Sequence, residues 1–466
     1  MALGLRARVV RVVTSWSPQE RDAVLYAGSA LFAVITAETS SITLYRQWGE
    51  LATGPYVLGA LWSALSARRA RRRPADSVHT GWHWTTPRMV TFLVVLLGAT
   101  LVPLSLEVAW RTDPGGNTHV QPEVAVVEDS GTRVAHGRDP YLLVDGNRSH
   151  VQAPAGQPAY DVYNPYLPLM SVFGLARSTR APARLTDARV AFSLITILIV
   201  IVALAMCRGP TGPRLLALQS MTVLPTAALP LATGGDDLPV AALLLLALVF
   251  LQRRKPLGAG IALGVAASMK ITAWPLAALA VLTLRREEGG AGRRPRLALL
   301  AGMGAVVVPA VLPSALSNLP AFVDNVVRFP LGLAGISSPA ASPLLGHVVV
   351  TAFPGLKHVF PLAVAGVGIG ALGWVLARRT PRSPAALARL LGWAFLIAIL
   401  LAPATRIGYF LYPFDFFVWA WLVRSEETGT ELPALVEDTE SGAERDDVVA
   451  GARALRPRRR WRRVEV

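Results

Sequence analysis

The stretch Ala188-Arg-Val-Ala-Phe-Ser-Leu-Ile-Thr-Ile-Leu-Ile-Val-Ile-Val-Ala-Leu-Ala-Met-Cys207 decides the fold class of this chain. An apolar run of this length, wound as a helix, crosses the ~30 Å hydrocarbon core of a bilayer. Comparable runs lie at 22–42, 88–108, 214–232, 297–315, 358–377, 386–402 and 406–423. Weaker candidates lie at 52–67, 163–178, 238–252 and 257–284. The sequence therefore predicts an all-α polytopic membrane protein rather than two or three soluble domains.

The strongly basic charge of the chain has a topological explanation. The formal net charge is +16, and arginine clusters at 68–73, 253–255, 285–296 and 378–382 stand directly beside apolar runs. Short loops rich in Lys and Arg stay on the cytoplasmic side of a membrane. The clusters therefore indicate orientation in a lipid bilayer, and no nucleic-acid partner is predicted.

Counting crossings from a cytoplasmic N-terminus places the loop 110–162 on the extracytoplasmic face, because the first three runs leave, return and leave again. Counting back from the C-terminal basic clusters gives a result that differs by one crossing. Either 163–178 does not span the membrane, or the basic stretch 208–214 lies outside, and both interpretations remain open.

The loop 110–162 is the one long connection that is rich in carboxylates, His, Arg and Tyr, so we expect the functional site there. It contains Gln121-Pro-Glu-Val-Ala-Val-Val-Glu-Asp-Ser-Gly-Thr-Arg-Val-Ala-His-Gly-Arg-Asp-Pro-Tyr141. Proline at a first helical position, an acid in the first turn and a closing Gly137 predict an amphipathic helix on the membrane surface. Val124, Val127 and Val134 recur at helical spacing.

Three acids of this helix are candidate general bases: Glu123, Glu128 and Asp129. A carboxylate within reach of a hydroxyl nucleophile can take its proton. The helix N-terminus favours an ionised Glu123. The alternative is that all three acids are solvated surface charges.

The segment from His136 to Tyr141 reads as a turn because of its Gly and Asp-Pro content. His136 and Arg138 are candidate phosphate ligands, Arg being the better bidentate partner, and Asp139 and Tyr141 stand beside them. Tyr166 marks the return of the chain to the membrane. The alternatives are a structural turn for 136–141 and an aromatic interface belt for Tyr166.

Further candidate substrate-binding residues lie in the later part of the chain. Lys270 interrupts the apolar stretch 257–284, which is expected to form two short helices in a hairpin. Lys270 either reaches an anionic headgroup or extends to the cytoplasmic surface. Arg328 and Arg406 are expected near the outer face, where they either bind a lipid phosphate or anchor the interface, and Tyr409 follows Arg406.

No metal site and no cofactor are predicted. Asp236 and Asp237 stand without an Asp-x-Asp motif or a His cluster beside them. Cys207 is the single cysteine, so the chain offers no cysteine metal cluster and no intrachain disulfide.

These motifs, in this order, resemble the GT-C glycosyltransferases. The resemblance is closest to the branch containing bacterial polyprenyl-phosphate-mannose-dependent α-mannosyltransferases and related arabinofuranosyltransferases, that is, to glycosyltransferase family 87. It rests on an acid at 123, on Gly137-Arg-Asp-Pro-Tyr141 and on Tyr163-Asn-Pro-Tyr-Leu-Pro168. It rests also on the Gly-rich segment that ends in Lys270-Ile-Thr-Ala-Trp-Pro275, and on Gly234-Gly-Asp-Asp237, where relatives often carry Gly-Gln-Asn.

The resemblance, which covers roughly 88–423, implies a GT-C-like transmembrane helix bundle with one large extracytoplasmic loop carrying juxtamembrane helices. It implies a polyprenyl-phosphate sugar donor, with mannose or arabinofuranose as the sugar, and a glycolipid or glycan acceptor of the cell envelope. The loop acid that activates the acceptor in relatives matches Glu123 here, although relatives usually have Asp. Arg138 and Arg406 would stabilise the leaving phosphate, and no nucleotide is needed.

We expect three parts in the chain. Apolar runs and basic residues predict N-terminal membrane segments with a basic cytoplasmic loop at 1–87, the resemblance implies a catalytic module at 88–423, and polar, charged composition predicts a disordered cytoplasmic tail at 424–466. The apolar pair before residue 88 departs from the family, whose large loop normally follows its first helix. A polytopic lipid or solute transporter (a flippase) and a non-catalytic membrane scaffold remain the alternative functions.

Overall fold

The computed structural model describes residues 16–71, 86–141, 158–284, 293–330, 342–356, 359–378 and 380–429, with four single positions between 333 and 340. The described part is helical. Its N-terminal half contains α1 Pro18–Thr39, α2 Thr43–Arg71, α3 (Thr86–Val95, a π-helical turn Leu96–Leu101, and Val102–Trp110), α4 Pro122–Ala135, α5 Ala188–Met206, α6 Thr211–Thr222 and α7 Pro225–Thr233. Its C-terminal half contains α8 Asp237–Gln252, α9 Pro256–Ala267, α10 Trp274–Leu284, α11 Arg293–Ser317, α12 Leu319–Val323, α13 Leu345–Ala352, α14 Val359–Arg378, α15 Pro384–Leu401 and α16 Leu411–Thr428.

Six helical stretches are long and apolar enough to cross a membrane: Pro87–Trp110, Ala188–Met206, Thr211–Thr233, Arg294–Ser317, Val359–Arg378 and Pro384–Leu401. They coincide with six of the eight strong apolar runs in the sequence. The other two runs fold as α1 and α16, which carry charged residues inside the helix. The prediction of an all-α polytopic membrane protein is confirmed.

The weaker runs behave differently from one another. Residues 52–67 lie inside the long helix α2, and 238–252 form α8. The stretch 257–284 is broken, as expected, into α9 and α10, with Lys270 at the break. In 163–178 the chain forms a 3₁₀ helix, Pro168–Ser178, of 11 residues. At ~2 Å rise per residue this helix is too short to cross the hydrocarbon core.

The loops expected outside meet at one end of the bundle. The Gln121 amide donates to the Thr233 carbonyl (3.4 Å), and the Asn164 amide donates to Oδ1 of Asn325 (2.8 Å). With 163–178 not spanning, both ways of counting crossings agree on this arrangement. Which compartment this end faces stays a prediction from the positive-inside rule.

Helix α4 begins and ends where the sequence predicted, but only part of it lies on the surface of the protein. Val124 and Val127 are buried, whereas Val134 is exposed. The helix crosses the 3₁₀ helix Pro168–Ser178 at two glycines: a Cβ on Gly131 would lie 2.3 Å from the Gly174 carbonyl carbon, and one on Gly174 2.1 Å from the Val127 carbonyl oxygen. Backbone therefore packs on backbone at this crossing.

Several predicted features lie outside the described residues. The arginine cluster 68–73 lies partly, and the cluster 285–296 largely, outside the described residues, and so does the tail from 430 onward. Helix α16 continues to Thr428, four residues past the expected start of the tail.

A first prediction follows from the glycine crossing. Gly174→Ala puts a methyl group against the backbone of α4, and overpacking of this kind costs about 1–3 kcal/mol. We expect a lower melting temperature of the detergent-purified protein by scanning fluorimetry. The control is Gly28→Ala in α1, where an added Cβ meets nothing within 4 Å. Equal melting temperatures for the two variants would contradict the close crossing.

Candidate active site

Glu123 sits in the first turn of α4 at the loop-side end of the bundle. Pro122 takes the first helical position, and Gln121 holds the helix start by donating from Nε2 to the Tyr45 hydroxyl and to Oγ1 of Thr233, both at 2.9 Å. Oε1 of Glu123 forms an ion pair with Arg406. Oε2 is buried and has no hydrogen-bond partner among the described residues. One carboxylate oxygen is therefore held and the other is unengaged.

Lys270 is held between two carboxylates. Its Nζ lies 2.9 Å from Oδ2 of Asp236 and 2.7 Å from Oδ1 of Asp237. All three side chains are at least four-fifths buried. Lys270 is thus engaged by two carboxylates at the loop-side end of the bundle, and the compartment that this end faces stays a prediction.

The break between α9 and α10 is what brings Lys270 to this position. The amides of Leu167 and Leu169 donate to the carbonyls of Met269 (2.9 Å) and Ser268 (3.0 Å). These hydrogen bonds hold the segment that returns from the loop against the residues just before Lys270. Broken helices in membrane proteins need such partners for their freed backbone groups.

Three tyrosines surround the Lys270 ammonium group. Nζ lies 5.4 Å from the ring centroid of Tyr166 and 6.0 Å from that of Tyr409. These distances are within or at the limit of a cation–π contact. The Tyr412 hydroxyl donates to Oδ1 of Asp237 at 2.5 Å.

These residues form one charged cluster, which we define as Glu123, Asp236, Asp237, Lys270 and Arg406. Asp236 lies within the electrostatic reach of Glu123, which joins the two ion-paired groups. With three carboxylates ionised against two cations, the cluster carries a net charge of −1. Each cation is already paired with an acid of the chain.

Five of the residues predicted from the sequence are brought together here, and three others were missed. The five are Glu123, Tyr166, Lys270, Arg406 and Tyr409. Asp236 and Asp237 were considered only as a metal pair, and their position beside a buried lysine was not foreseen. The signal available was the expectation that a charge inside an apolar stretch requires a partner of opposite sign.

Asp161 is the third missed residue. It lies in the 3₁₀ turn Ala159–Val162, and its Oδ1 is buried without a hydrogen-bond partner in the described part of the chain. Burial, together with the charge of Glu123, raises the pKa of the Asp161 carboxyl. Asp161 is therefore a second acid close to the candidate base.

The other two candidate bases lie away from Glu123 on the helix. Glu128 is buried in an ion pair with Arg111, at 2.8 and 2.7 Å, and also accepts from the Ala188 amide at 3.0 Å. Asp129 is exposed to solvent. As bases, both stay sequence predictions, but Glu128 also pairs with Arg177 of the 3₁₀ helix at 3.3 Å, so its contacts hold α4 to its neighbours.

Arg111, Glu128, Asp187 and Arg189 make up the buried ion network. Nη1 of Arg111 lies 2.7 Å from Oδ2 of Asp187, and Arg189 makes two hydrogen bonds to the same carboxylate at 2.9 Å. Burial alone would raise the pKa of Asp187, but the hydrogen bonds and charges of Arg189 and Arg111 lower it. The network fixes the middle of α4 while leaving its first turn free for Glu123.

The residues of the predicted turn 136–141 are placed beside the charged cluster rather than in it. His136 and Arg138 are exposed. Asp139 accepts from the Tyr141 amide (2.8 Å) and the Ser317 hydroxyl (2.8 Å), and the Tyr141 hydroxyl donates to the Tyr166 carbonyl (2.9 Å). Tyr141 therefore supports the backbone that carries Tyr166.

Arg328 lies on the segment that follows α12. It is half-exposed and pairs with Asp324 at 3.3 Å. Neighbouring Phe329 stacks on Tyr163 with ring centroids 4.5 Å apart.

Within the described residues, no group of three His, Cys, Asp or Glu side chains is arranged to hold a metal ion.

The buried ion network yields a pH prediction. Because the pKa of Asp187 is lower in the folded protein than its ordinary value, its carboxylate stabilises the fold above that ordinary value. This stability is lost as the pH falls through the lowered pKa. Asp187→Asn should cost about 3–5 kcal/mol near neutral pH, since two buried arginines lose an anionic partner.

The measurement is a series of thermal melts from about pH 7 to about pH 3. The wild type should lose stability toward low pH more steeply than Asp187→Asn, and the two curves should converge. Glu38→Gln, at an exposed position of α1, is the control and should follow the wild type. Parallel curves for wild type and Asp187→Asn would contradict the assigned role.

Comparison with known proteins identifies the family of the chain. The crystal structure of ArnT from Cupriavidus metallidurans bound to undecaprenyl phosphate is similar over 79% of this chain and 64% of its own, at 17% identity and a TM-score of 0.45. No curated protein matches the chain. The profile of Glycosyltransferase family 87 matches residues 165–403, about half of the chain, including Tyr166, Asp236, Asp237 and Lys270. As its sequence motifs predicted, the chain belongs to glycosyltransferase family 87.

Proposed function

We propose that this protein transfers a sugar from a polyprenyl-monophosphate donor to a hydroxyl group of a cell-envelope glycolipid or glycan, on the extracytoplasmic face. Membership of glycosyltransferase family 87 supports group transfer to a hydroxyl. The observation that carries the mechanism is Glu123, whose Oε2 is buried and has no partner among the residues that the structure describes, while Oε1 is held by Arg406. Mannose and arabinofuranose are the proposed sugars, on the strength of the sequence resemblance.

The proposed reaction is a direct displacement. Oε2 of Glu123 accepts the proton of the acceptor hydroxyl, and the acceptor oxygen attacks the anomeric carbon of the donor. The bond between that carbon and the phosphate oxygen breaks, and polyprenyl phosphate leaves with the electron pair. Attack from the side opposite to the leaving group inverts the configuration of the anomeric carbon.

The donor phosphate has to compete for its cations. The charged cluster is net negative and both of its cations are paired, so an incoming phosphate would be repelled by the cluster as it stands. Arg406 is the cation that can change partner, because its side chain is one-third exposed whereas Lys270 is held by two carboxylates. Movement of Arg406 from Glu123 to the phosphate would bind the donor and release the base together.

The division into domains is proposed on the same grounds. The module 88–423 would contain the reaction site, with the loop 110–162 supplying Glu123. The segments before residue 88 would add a wall to that site, because Tyr45 of α2 hydrogen-bonds to Gln121 beside the base.

The direct test is sugar transfer by the full-length protein in proteoliposomes. Labelled polyprenyl-phosphate mannose, and in parallel the arabinofuranose donor, is offered with a cell-envelope lipid extract. We expect transfer by the wild type and a rate lowered about 10²–10⁴-fold in Glu123→Gln. The control is Glu38→Gln, which changes an exposed acid in the last turn of α1 and should keep the wild-type rate.

The other outcomes are informative. Full activity of Glu123→Gln would move the base to another acid, with Asp161 first. Movement of the labelled lipid across the bilayer without transfer to any acceptor would contradict the enzyme assignment and favour a flippase.

Another prediction concerns binding of the donor phosphate by Arg406. Arg406→Gln should lower kcat/KM for the donor roughly 10- to 100-fold, since a charged hydrogen bond contributes about 1.5–3 kcal/mol. Arg406→Lys should recover part of this loss. Arg180→Gln, at an exposed position of the loop before α5, is the control. An unchanged donor kcat/KM in Arg406→Gln would contradict phosphate binding by this residue.

A further inference from the structure

A pocket of about 250 Å³ lies between the start of α2 and the turn that follows α3. We call it the Trp110 pocket. Its lining residues are Gln47, Trp110, Asp113, Pro114, Gly115, Gly116 and His119. None of them is among the candidate residues that the sequence suggested.

The turn that forms the floor of the pocket depends on its two glycines. Gly115 has φ of +83°, in the left-handed region that favours glycine. A Cβ on Gly116 would lie 2.3 Å from the Arg111 carbonyl oxygen. The chain folds tightly here, so that Trp110 and His119 face each other with ring centroids 5.5 Å apart.

His119 is fixed from two sides. Its Nδ1 lies 3.0 Å from Oε2 of Glu107, which is wholly buried, and its carbonyl accepts from Nη1 of Arg189 at 2.7 Å. The pocket wall is thus tied to the buried ion network through Arg189. A wall held in this way is preorganised for a ligand.

Two buried acceptor atoms at or next to the pocket lack a hydrogen-bond partner in the described part of the chain. Oε1 of Gln47 and Oε1 of Glu107 are both buried and have no hydrogen-bond partner among the described residues. Asp113 adds an exposed carboxylate. Acceptors of this kind need a ligand that donates hydrogen bonds, and the two acids disfavour a phosphate.

A sugar ring can both donate hydrogen bonds and pack on an aromatic side chain. Its hydroxyl groups donate to carboxylate and amide oxygens, and its C–H face packs on an aromatic ring such as that of Trp110. A volume of about 250 Å³ is small for a lipid chain or a drug-sized ligand.

Chain and hydrogen bonds link the wall of the pocket to the first turn of α4. His119 precedes Glu123 by four residues, and Gln121 between them hydrogen-bonds to Tyr45, two residues before Gln47 on α2. The Tyr45 hydroxyl lies within the electrostatic reach of both Arg406 and Glu123. The segments that line the pocket are therefore the same segments that lead to the candidate base.

We propose that the Trp110 pocket is a subsite for a sugar unit of the acceptor, with the α1–α2 hairpin forming one of its walls. This proposal extends the proposed function and rests on it, because the term acceptor assumes that the protein transfers a sugar. It gives a role to the apolar segments before residue 88, which the family pattern does not include: they supply Gln47 and Tyr45.

The test separates sugar binding from catalysis. Methyl α-D-mannopyranoside and methyl α-D-arabinofuranoside are offered to the detergent-purified full chain, and binding is followed by saturation-transfer NMR. We expect binding by the wild type and by Glu123→Gln. It should weaken about 3- to 10-fold in Gln47→Ala, which loses one hydrogen bond, and similarly in Trp110→Ala. Trp110→Phe should recover part of it.

Trp62→Ala, which removes a half-exposed tryptophan from α2, is the matched control and should bind as the wild type does. Equal binding by wild type, Gln47→Ala and Trp110→Ala would overturn the subsite. So would binding of ethanolamine in preference to both glycosides, since the pocket would then select a cation. Absence of glycoside binding by the wild type would overturn it as well.

Transfer assays distinguish this proposal from the proposed function. With an active wild type, Trp110→Ala should raise KM for the acceptor and leave KM for the donor unchanged. Pocket-dependent glycoside binding by a wild type that transfers no sugar would refute the transferase and leave a sugar site standing. Transfer with an unchanged acceptor KM in Trp110→Ala would refute the subsite and leave the transferase standing.

Discussion

The structure depends on the burial of four charges, Arg111, Glu128, Asp187 and Arg189, where α3, α4 and α5 meet. Separated from water, each of these groups would be very costly, and together they are stable because every carboxylate faces an arginine at hydrogen-bonding distance. This network, with the glycine crossing under α4, fixes a loop helix to the transmembrane bundle. The consequence reaches the site: the first turn of α4, and Glu123 with it, is positioned by groups that take no part in the proposed chemistry.

The charged side chains around Glu123 form ion pairs. Pairing removes most of the cost of burying Lys270 and Arg406, but it also leaves neither cation free for a phosphate. In the proposed reaction an exchange of partners would resolve this, since the donor phosphate would replace Glu123 on Arg406 and the total number of ion pairs would be kept. The surrounding tyrosines add polarisable surface without further charge. Burial and the charge of Glu123 raise the pKa of Asp161, so this carboxyl is protonated more readily than an ordinary aspartate.

Much of this could be predicted from the sequence. The apolar runs predicted the spans, the pattern Gln121-Pro-Glu predicted where α4 starts, and Lys270 within an apolar stretch predicted a broken helix. The ordered motifs predicted the family. The helix start and the resemblance favoured Glu123 among the acids of α4, but the burial of Glu128 in an ion pair with Arg111 could not be predicted, because that pair joins two separate segments. The sequence also contained no sign of the Trp110 pocket, whose lining comes from two segments that local pattern does not relate.

The sequence by itself determined the helical membrane architecture and the position of an acid at the start of the loop helix, because both follow from hydrophobic length and from the rules of helix ends. Only the tertiary structure decided which charges meet. Glu123 and Arg406 are far apart in the chain, as are Asp236 and Lys270. Their pairing is set by how the helices pack at one end of the bundle, and packing between distant segments is not encoded in any local pattern.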